Sequence, residues 1–116
     1  MLMMHGNVRI FIYTYPTDMR KSIDGLENIV RGELGENPLS GDLFLFRNRS
    51  GNRLKILQWD RNGYVVWYKR LERGSFSFPP RGDDGVTIHP DVFLQLIGGL
   101  RLDRVWKNCE KVRSRG

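Results

Sequence analysis

The sequence predicts an α+β fold, an antiparallel meander of about four strands with two helices packed mainly on one face of the sheet. Three observations lead to this prediction. Runs of β-branched and aromatic residues recur between turn-forming residues, an Asn-Gly pair separates two of these runs, and two stretches carry apolar residues at helical spacing. A chain of 116 residues suits a single domain, 1–116, with a core of its own.

The first elements are a strand and a helix. Residues 8–13, VRIFIY, predict a strand, which we expect to be added at an edge of the sheet. The helix begins near Met19 if Asp18 is the N-cap, or near Ile23 if Ser22 is. One face of this helix is apolar and carries Ile23, Leu26, Val30 and Leu34.

A meander follows, with strands expected at residues 42–46, 54–59 and 64–71. Residues 49–52, RSGN, join the first pair. Residues 60–63, DRNG, join the second pair. Their Asn-Gly pair, Asn62 and Gly63, is typical of a type I′ turn, which needs positive φ at both central residues.

The C-terminal part starts with an extended segment, residues 76–80, and a polar loop, residues 81–85. Pro90 is suited to the first position of a second helix. The apolar stripe of that helix is Val92, Phe93, Leu96, Ile97 and Leu100. Residues 100–116 form a basic tail, which either forms a short helix with Val105, Cys109 and Val112 on one face or stays frayed.

The net charge of +6 is concentrated in residues 47–73. That segment holds eight basic and two acidic residues, whereas the rest of the chain holds eleven of each. A basic surface with interspersed aromatics predicts a nucleic-acid-binding site. The candidate site residues are Arg47, Arg49, Arg53, Lys55, Trp59, Trp67, Lys69, Arg70 and Arg73.

This prediction depends on a register that the sequence leaves open. Phosphate contacts would flank stackable rings if the face with Arg53, Lys55 and Trp59 also holds Trp67 and Lys69. The alternative is that the two tryptophans belong to the core and the charges form a solvated face. Arg20 and Lys21, beside a helix start, are secondary phosphate candidates, although a structural N-cap at Asp18 is the commoner meaning of such a motif.

The sequence predicts neither an enzyme nor a cofactor protein. Its acids are scattered, its two histidines and Cys109 lack zinc spacing, and no Gly-rich nucleotide loop is present, so we expect no metal site and no catalytic residue. A lone cysteine, the lack of a membrane-length apolar run and the lack of a secretory signal predict a cytoplasmic protein.

Four blocks of the chain resemble a known family. They are Pro16 to Lys21 with Asp24, Gly25 and Leu26; Ser40 to Arg47; Arg53 to Asp60; and Lys69 to Phe76. The family is the small accessory transposition protein, TnpB, of insertion-sequence-66 mobile elements in bacteria, and not the RNA-guided nuclease of the same label. The match runs from about Val8 to Gly99.

The resemblance implies a protein that is encoded beside a large transposase and needed for efficient transposition. It carries over no catalytic residues. Together with the charge, it predicts a non-catalytic accessory protein that binds DNA through the basic hairpin and assists the transposase. The alternative is an adaptor that binds the transposase or another element-encoded protein without contacting DNA.

Overall fold

The computed structural model describes residues 2, 4, 6–82 and 85–107. Five strands form one sheet in the order β4-β3-β2-β1-β5. The strands are β1 Ile10–Tyr13, β2 Leu43–Arg47, β3 Arg53–Asp60, β4 Gly63–Arg70 and β5 Gly85–Ile88. The helices are α1 Ile23–Gly32, α2 Pro90–Ile97 and α3 Asp103–Lys107.

The α+β class is confirmed, but the sheet is mixed and has five strands. β2, β3 and β4 form the predicted antiparallel meander. β1 runs parallel to β2, with Ile10 opposite Leu43, because the chain crosses over through α1 between them. β1 is therefore an inner strand, and the prediction of an edge position is wrong. Its other neighbour, β5, was not predicted, because its four residues follow directly on a polar loop.

The helices cover opposite faces of the sheet, so the prediction of helices mainly on one face is wrong. On one face, called the α1 face, Leu26 and Val30 of α1 pack against Phe44 and Leu57. The α2 face holds the larger cluster, in which α2 and α3 pack against β1, β2 and β3. All four apolar residues of β2 are fully buried, which is typical of a strand covered on both faces.

The start of α1 follows the second of the two predicted alternatives. Ser22 occupies the N-cap position, and the helix begins at Ile23. Asp18 lies outside the helix, where its carboxylate accepts hydrogen bonds from the backbone N–H of Arg20 (2.9 Å) and from the guanidinium of the same residue. Asp18 therefore stabilises a turn in the loop before the helix.

The β3–β4 hairpin is confirmed, but its turn is one residue earlier than predicted. Asp60 pairs with Gly63, so the two loop residues are Arg61 and Asn62. Arg61 has a φ of 54°, whereas Asn62 and Gly63 do not have positive φ. A type I′ turn centred on Asn62 and Gly63 is therefore wrong. Positive φ is confined to Arg61, and the backbone N–H of Asn62 donates to the carbonyl of Asp60 (2.5 Å), the i to i+2 hydrogen bond of a γ-turn.

The C-terminal part folds onto the α2 face. α2 begins at Pro90, as predicted. The first part of the basic tail forms α3, where Trp106 is buried and donates from Nε1 to the hydroxyl of Ser77 (2.9 Å). The predicted positions Cys109 and Val112 lie outside the described residues. Within the described ranges, no helix has the length and apolar content needed to cross a membrane.

Candidate nucleic-acid interface

The register of the meander brings the predicted cations to one end of the sheet. Arg53, at the start of β3, pairs with Arg70 near the end of β4, and Arg47 at the end of β2 lies opposite Leu54. Arg49 lies in the turn between β2 and β3, and the backbone N–H of Leu71 donates to Asn52 in the same turn (2.8 Å). Cations that are distant in the sequence therefore lie at the same end of the sheet.

The loop before α1 is held at the same end. The backbone N–H of Thr17 donates to the carbonyl of Arg47 (2.8 Å). The ammonium of Lys55 donates to the carbonyls of Met19 (2.8 Å) and Lys21 (3.0 Å). Six predicted residues therefore meet in what we call the basic end, which consists of Arg20, Lys21, Arg49, Arg53, Arg70 and Arg73. Arg47 lies at the same end of the sheet, but its side chain is on the α2 face, where it contacts Phe76 and Phe78.

A cleft of about 640 Å³ lies on the α1 face of the basic end, between the loop before α1 and the β2–β3 turn. Its lining includes the side chains of Arg20, Arg49 and Arg53. Thr17 also lines it, and the buried hydroxyl of this threonine has no hydrogen-bond partner among the described residues. Sequence inspection missed Thr17, because a threonine in a loop carries no charge signal.

The cations of the basic end are only partly neutralised. Arg20 pairs with Asp18 at 2.8 Å and Arg70 with Glu72 at 3.0 Å, both in exposed positions. The hydrogen bonds from Arg20 lower the pKa of Asp18 to about 2, so that carboxylate is ionised at any physiological pH. Among the described residues, no carboxylate lies within ion-pair distance of the remaining four, Lys21, Arg49, Arg53 and Arg73.

The same register separates the tryptophans from the cations. Trp59 lies opposite Tyr64, at the far end of the hairpin, and their rings make an edge contact with centroids 5.1 Å apart. Trp67 lies opposite Ile56 and packs on the α2 face. The arrangement in which phosphate contacts flank both rings on one face therefore does not form, because Trp59 and Trp67 occupy opposite faces of the sheet.

The two candidate lysines hold other parts of the chain to the sheet. Lys55 anchors the loop before α1, as described above. The ammonium of Lys69 donates to the carbonyl of Ile97 at the C-terminal end of α2 (2.8 Å), where a cation is favourable because helix carbonyls there lack intrahelical partners. Both ammonium groups are thus engaged by backbone oxygens.

Three aspartates that could in principle hold a metal ion each have a cationic partner instead. Asp42 binds Arg9, Asp60 pairs with Arg61, and Asp18 pairs with Arg20. Within the part of the chain that the structure describes, no group of three His, Cys, Asp or Glu side chains is placed to hold a metal ion.

Comparison with known proteins identifies the family. A family model described as IS66 Orf2-like protein (TnpB of IS66) matches residues 8–107, so the chain belongs to this family. The resemblance seen in the sequence is thus confirmed, and the match extends beyond Gly99 to the end of α3. Membership indicates an accessory role in transposition.

Two curated relatives come from Sinorhizobium fredii (strain NBRC 101917 / NGR234). One, named "Uncharacterized protein y4jC", is 38% identical over 98 residues, which is 84% of each chain. The other, "Uncharacterized protein y4hO", is 40% identical over 94 residues, which is 81% of this chain and 82% of the relative. No solved structure matches the chain at a significant level.

Proposed function

We propose that this protein assists a transposase by binding the DNA backbone with its basic end. The observation that supports the proposal is the concentration there of cations without acidic partners among the described residues. Unpaired guanidinium groups are suited to phosphate, because their planar donors match its oxygens and neutralising phosphates releases condensed counterions.

The proposed contact is with phosphates and does not read the base sequence. The tryptophans lie away from the basic end, so stacking on unpaired bases does not enter the proposal. Phosphate contacts fix position on a duplex and carry no sequence information directly. We therefore expect similar affinity for element-end DNA and for unrelated duplex, with sequence choice left to the transposase.

The test compares two pairs of substitutions that remove equal charge. Arg49→Gln with Arg53→Gln alters the basic end, and Arg31→Gln with Arg61→Gln alters exposed cations elsewhere. Fluorescence anisotropy with labelled duplex, at several salt concentrations, gives the slope of log K against log salt. Each lost phosphate contact should reduce the magnitude of the slope by about 0.9, or about 1.8 for the first pair.

The control pair should leave both affinity and slope close to those of the parent. Equal loss from both pairs would mean that net charge alone drives binding. An unchanged isotherm for the Arg49 and Arg53 pair would reject the basic end as the DNA-binding surface. If the parent bound no DNA at any salt concentration, while binding the transposase, the adaptor alternative would replace the proposal.

A further inference from the structure

A second concentration of positive charge lies on the α2 face, separate from the Thr17 cleft. A groove of about 480 Å³ runs between the segment after β4 and α3. Its walls include Phe78, Pro79 and Pro80 on one side and Lys107 on the other, with Arg47 and Arg81 also in the lining. The groove thus combines an apolar wall with three cations.

Arg47 is held in a fixed, recessed position within this groove. Its Nη1 donates to the carbonyl of Phe76 (2.7 Å), and its guanidinium carbon lies 4.7 Å from the centroid of the Phe78 ring. The side chain is half-buried, and burial together with the nearby charges of Arg101 and Arg81 lowers its pKa. Arginine nevertheless stays protonated in proteins.

This charge is not balanced by the acids of the described chain. The carboxylate that lines the groove, Asp103, is bound by Arg101 at 3.0 Å. No described carboxylate lies within ion-pair distance of Arg47, Arg81 or Lys107. Partial burial of a cation without an anion costs free energy, and an incoming anion would recover that cost.

We propose that the groove binds an acidic peptide segment of a partner protein, with one carboxylate on the guanidinium of Arg47 and the peptide stem against Pro79 and Pro80. Arginine binds carboxylates through paired N–H donors, and Arg47 retains donors beyond the one given to Phe76. The site lies on the face opposite to the proposed DNA cleft, so both ligands could be held together.

Nucleic acid fits the groove less well than a peptide does. A duplex is stiff and presents its phosphates on a broad surface, whereas Arg47 is recessed. Single strands are bound through exposed aromatic faces. In the groove, Arg47 covers the Phe78 ring, and Trp106 is only 6% exposed.

The experiment uses the full chain and fluorescein-labelled hexaglutamate, with hexaglutamine as the neutral probe. The parent should bind hexaglutamate and not hexaglutamine. Arg47→Met, which keeps an apolar stem over Phe78, should weaken binding at least tenfold. Arg53→Gln, which removes a cation on the other face, should change it less than twofold.

Three results would overturn the proposal. They are parent-like binding by Arg47→Met, an equal loss in Arg53→Gln, and competition at this site by a short oligothymidylate in preference to hexaglutamate. Melting curves show whether Arg47→Met folds. If it does not fold, the double variant Arg81→Gln with Lys107→Gln takes its place, and the same outcomes support or overturn the proposal. Both side chains are exposed, so these substitutions should not disturb folding.

Failure of the peptide site can be distinguished from failure of the proposed DNA-binding function. Duplex binding by Arg47→Met should stay within about twofold of the parent, because the guanidinium of Arg47 lies in the α2-face groove and does not line the Thr17 cleft. Loss of hexaglutamate binding with intact duplex binding supports two independent sites. Loss of both together would assign Arg47 to the DNA surface and reject the peptide site.

Discussion

The two ends of the sheet carry cations in opposite settings. At the basic end, Arg49, Arg53 and Arg73 have no carboxylate within ion-pair distance among the described residues. At the other end, which we call the paired end, Arg9 binds Asp42, and Arg61 pairs with Asp60 at 3.2 Å.

The difference shows that the local charge density of the sequence does not tell which cations are available to an external anion. The pairing of Arg9 with Asp42 spans 33 residues and is set by the parallel alignment of β1 with β2. Lys55 and Lys69 lie in the most basic segment, yet backbone carbonyls engage both of their ammonium groups. What distinguishes the basic end is the availability of its cations to an external anion.

The largest expected effect is loss of the buried carboxylate at the paired end. Asp42 is 5% exposed and accepts hydrogen bonds from the backbone and guanidinium of Arg9 and from the hydroxyl of Ser40. Asp42→Asn should cost about 2 kcal/mol of unfolding free energy, because hydrogen bonds to a buried charge are lost.

The matched substitution at the basic end is Glu72→Gln, which removes an exposed pair with Arg70. It should leave the urea midpoint unchanged, since exposed ion pairs contribute little. Equal destabilisation by both substitutions, measured by urea unfolding, would remove the distinction between the two ends.

The next effect concerns the turn at the paired end. Arg61 has positive φ, so Arg61→Gly should stabilise the protein by about 0.5–1 kcal/mol after the entropic cost of glycine. Gly63→Val should cause no loss, because Gly63 lacks positive φ and a Cβ there would meet open space. Thermal melts of both variants are the check. A loss of roughly 1–2 kcal/mol in Gly63→Val would place the turn on Asn62 and Gly63 instead.

These turn residues also show which features of the fold can be predicted from the sequence. The strand-forming runs, the hairpin and the Pro90 helix follow from local patterns and were predicted. A one-residue shift of the turn changes which residues pair, and local composition does not fix it. The parallel β1–β2 alignment and the placement of helices on both faces depend on contacts across α1. The sequence therefore predicted the cations of the basic end but not the separation of Trp59 and Trp67.

An effect of similar size distinguishes, within the hairpin, a cation with a structural role from cations that are available to DNA. Lys69→Met keeps the apolar stem but removes the hydrogen bond to Ile97, so it should cost about 1 kcal/mol. The salt slope of duplex binding should change by less than about 0.5, since no phosphate contact is lost. A slope reduced by a full unit would make Lys69 part of the DNA surface.

The smallest effect is the titration of Tyr64 at the paired end. Burial, and then the hydrogen bond to Glu27, raises the pKa of Tyr64 to about 12. The neutral phenol is favoured in the folded state, so its contribution to stability is complete below about pH 10 and disappears as the pH rises towards 12. One of the four tyrosines should form its phenolate late in an absorbance titration, and Tyr64→Phe should remove that late fraction. Four equivalent titrations would contradict the assigned hydrogen bond.

The most direct test of the central claim is to locate the DNA on the protein by NMR. Duplex is added to isotopically labelled full chain, and the Nε–Hε signals of the arginines are followed. The signals of Arg49 and Arg53 should shift, together with the backbone amides of the loop before α1, while those of Arg9 and Arg61 stay in place. Shifts at Arg9 and Arg61 with none at Arg49 and Arg53 would contradict the assignment of DNA to the basic end.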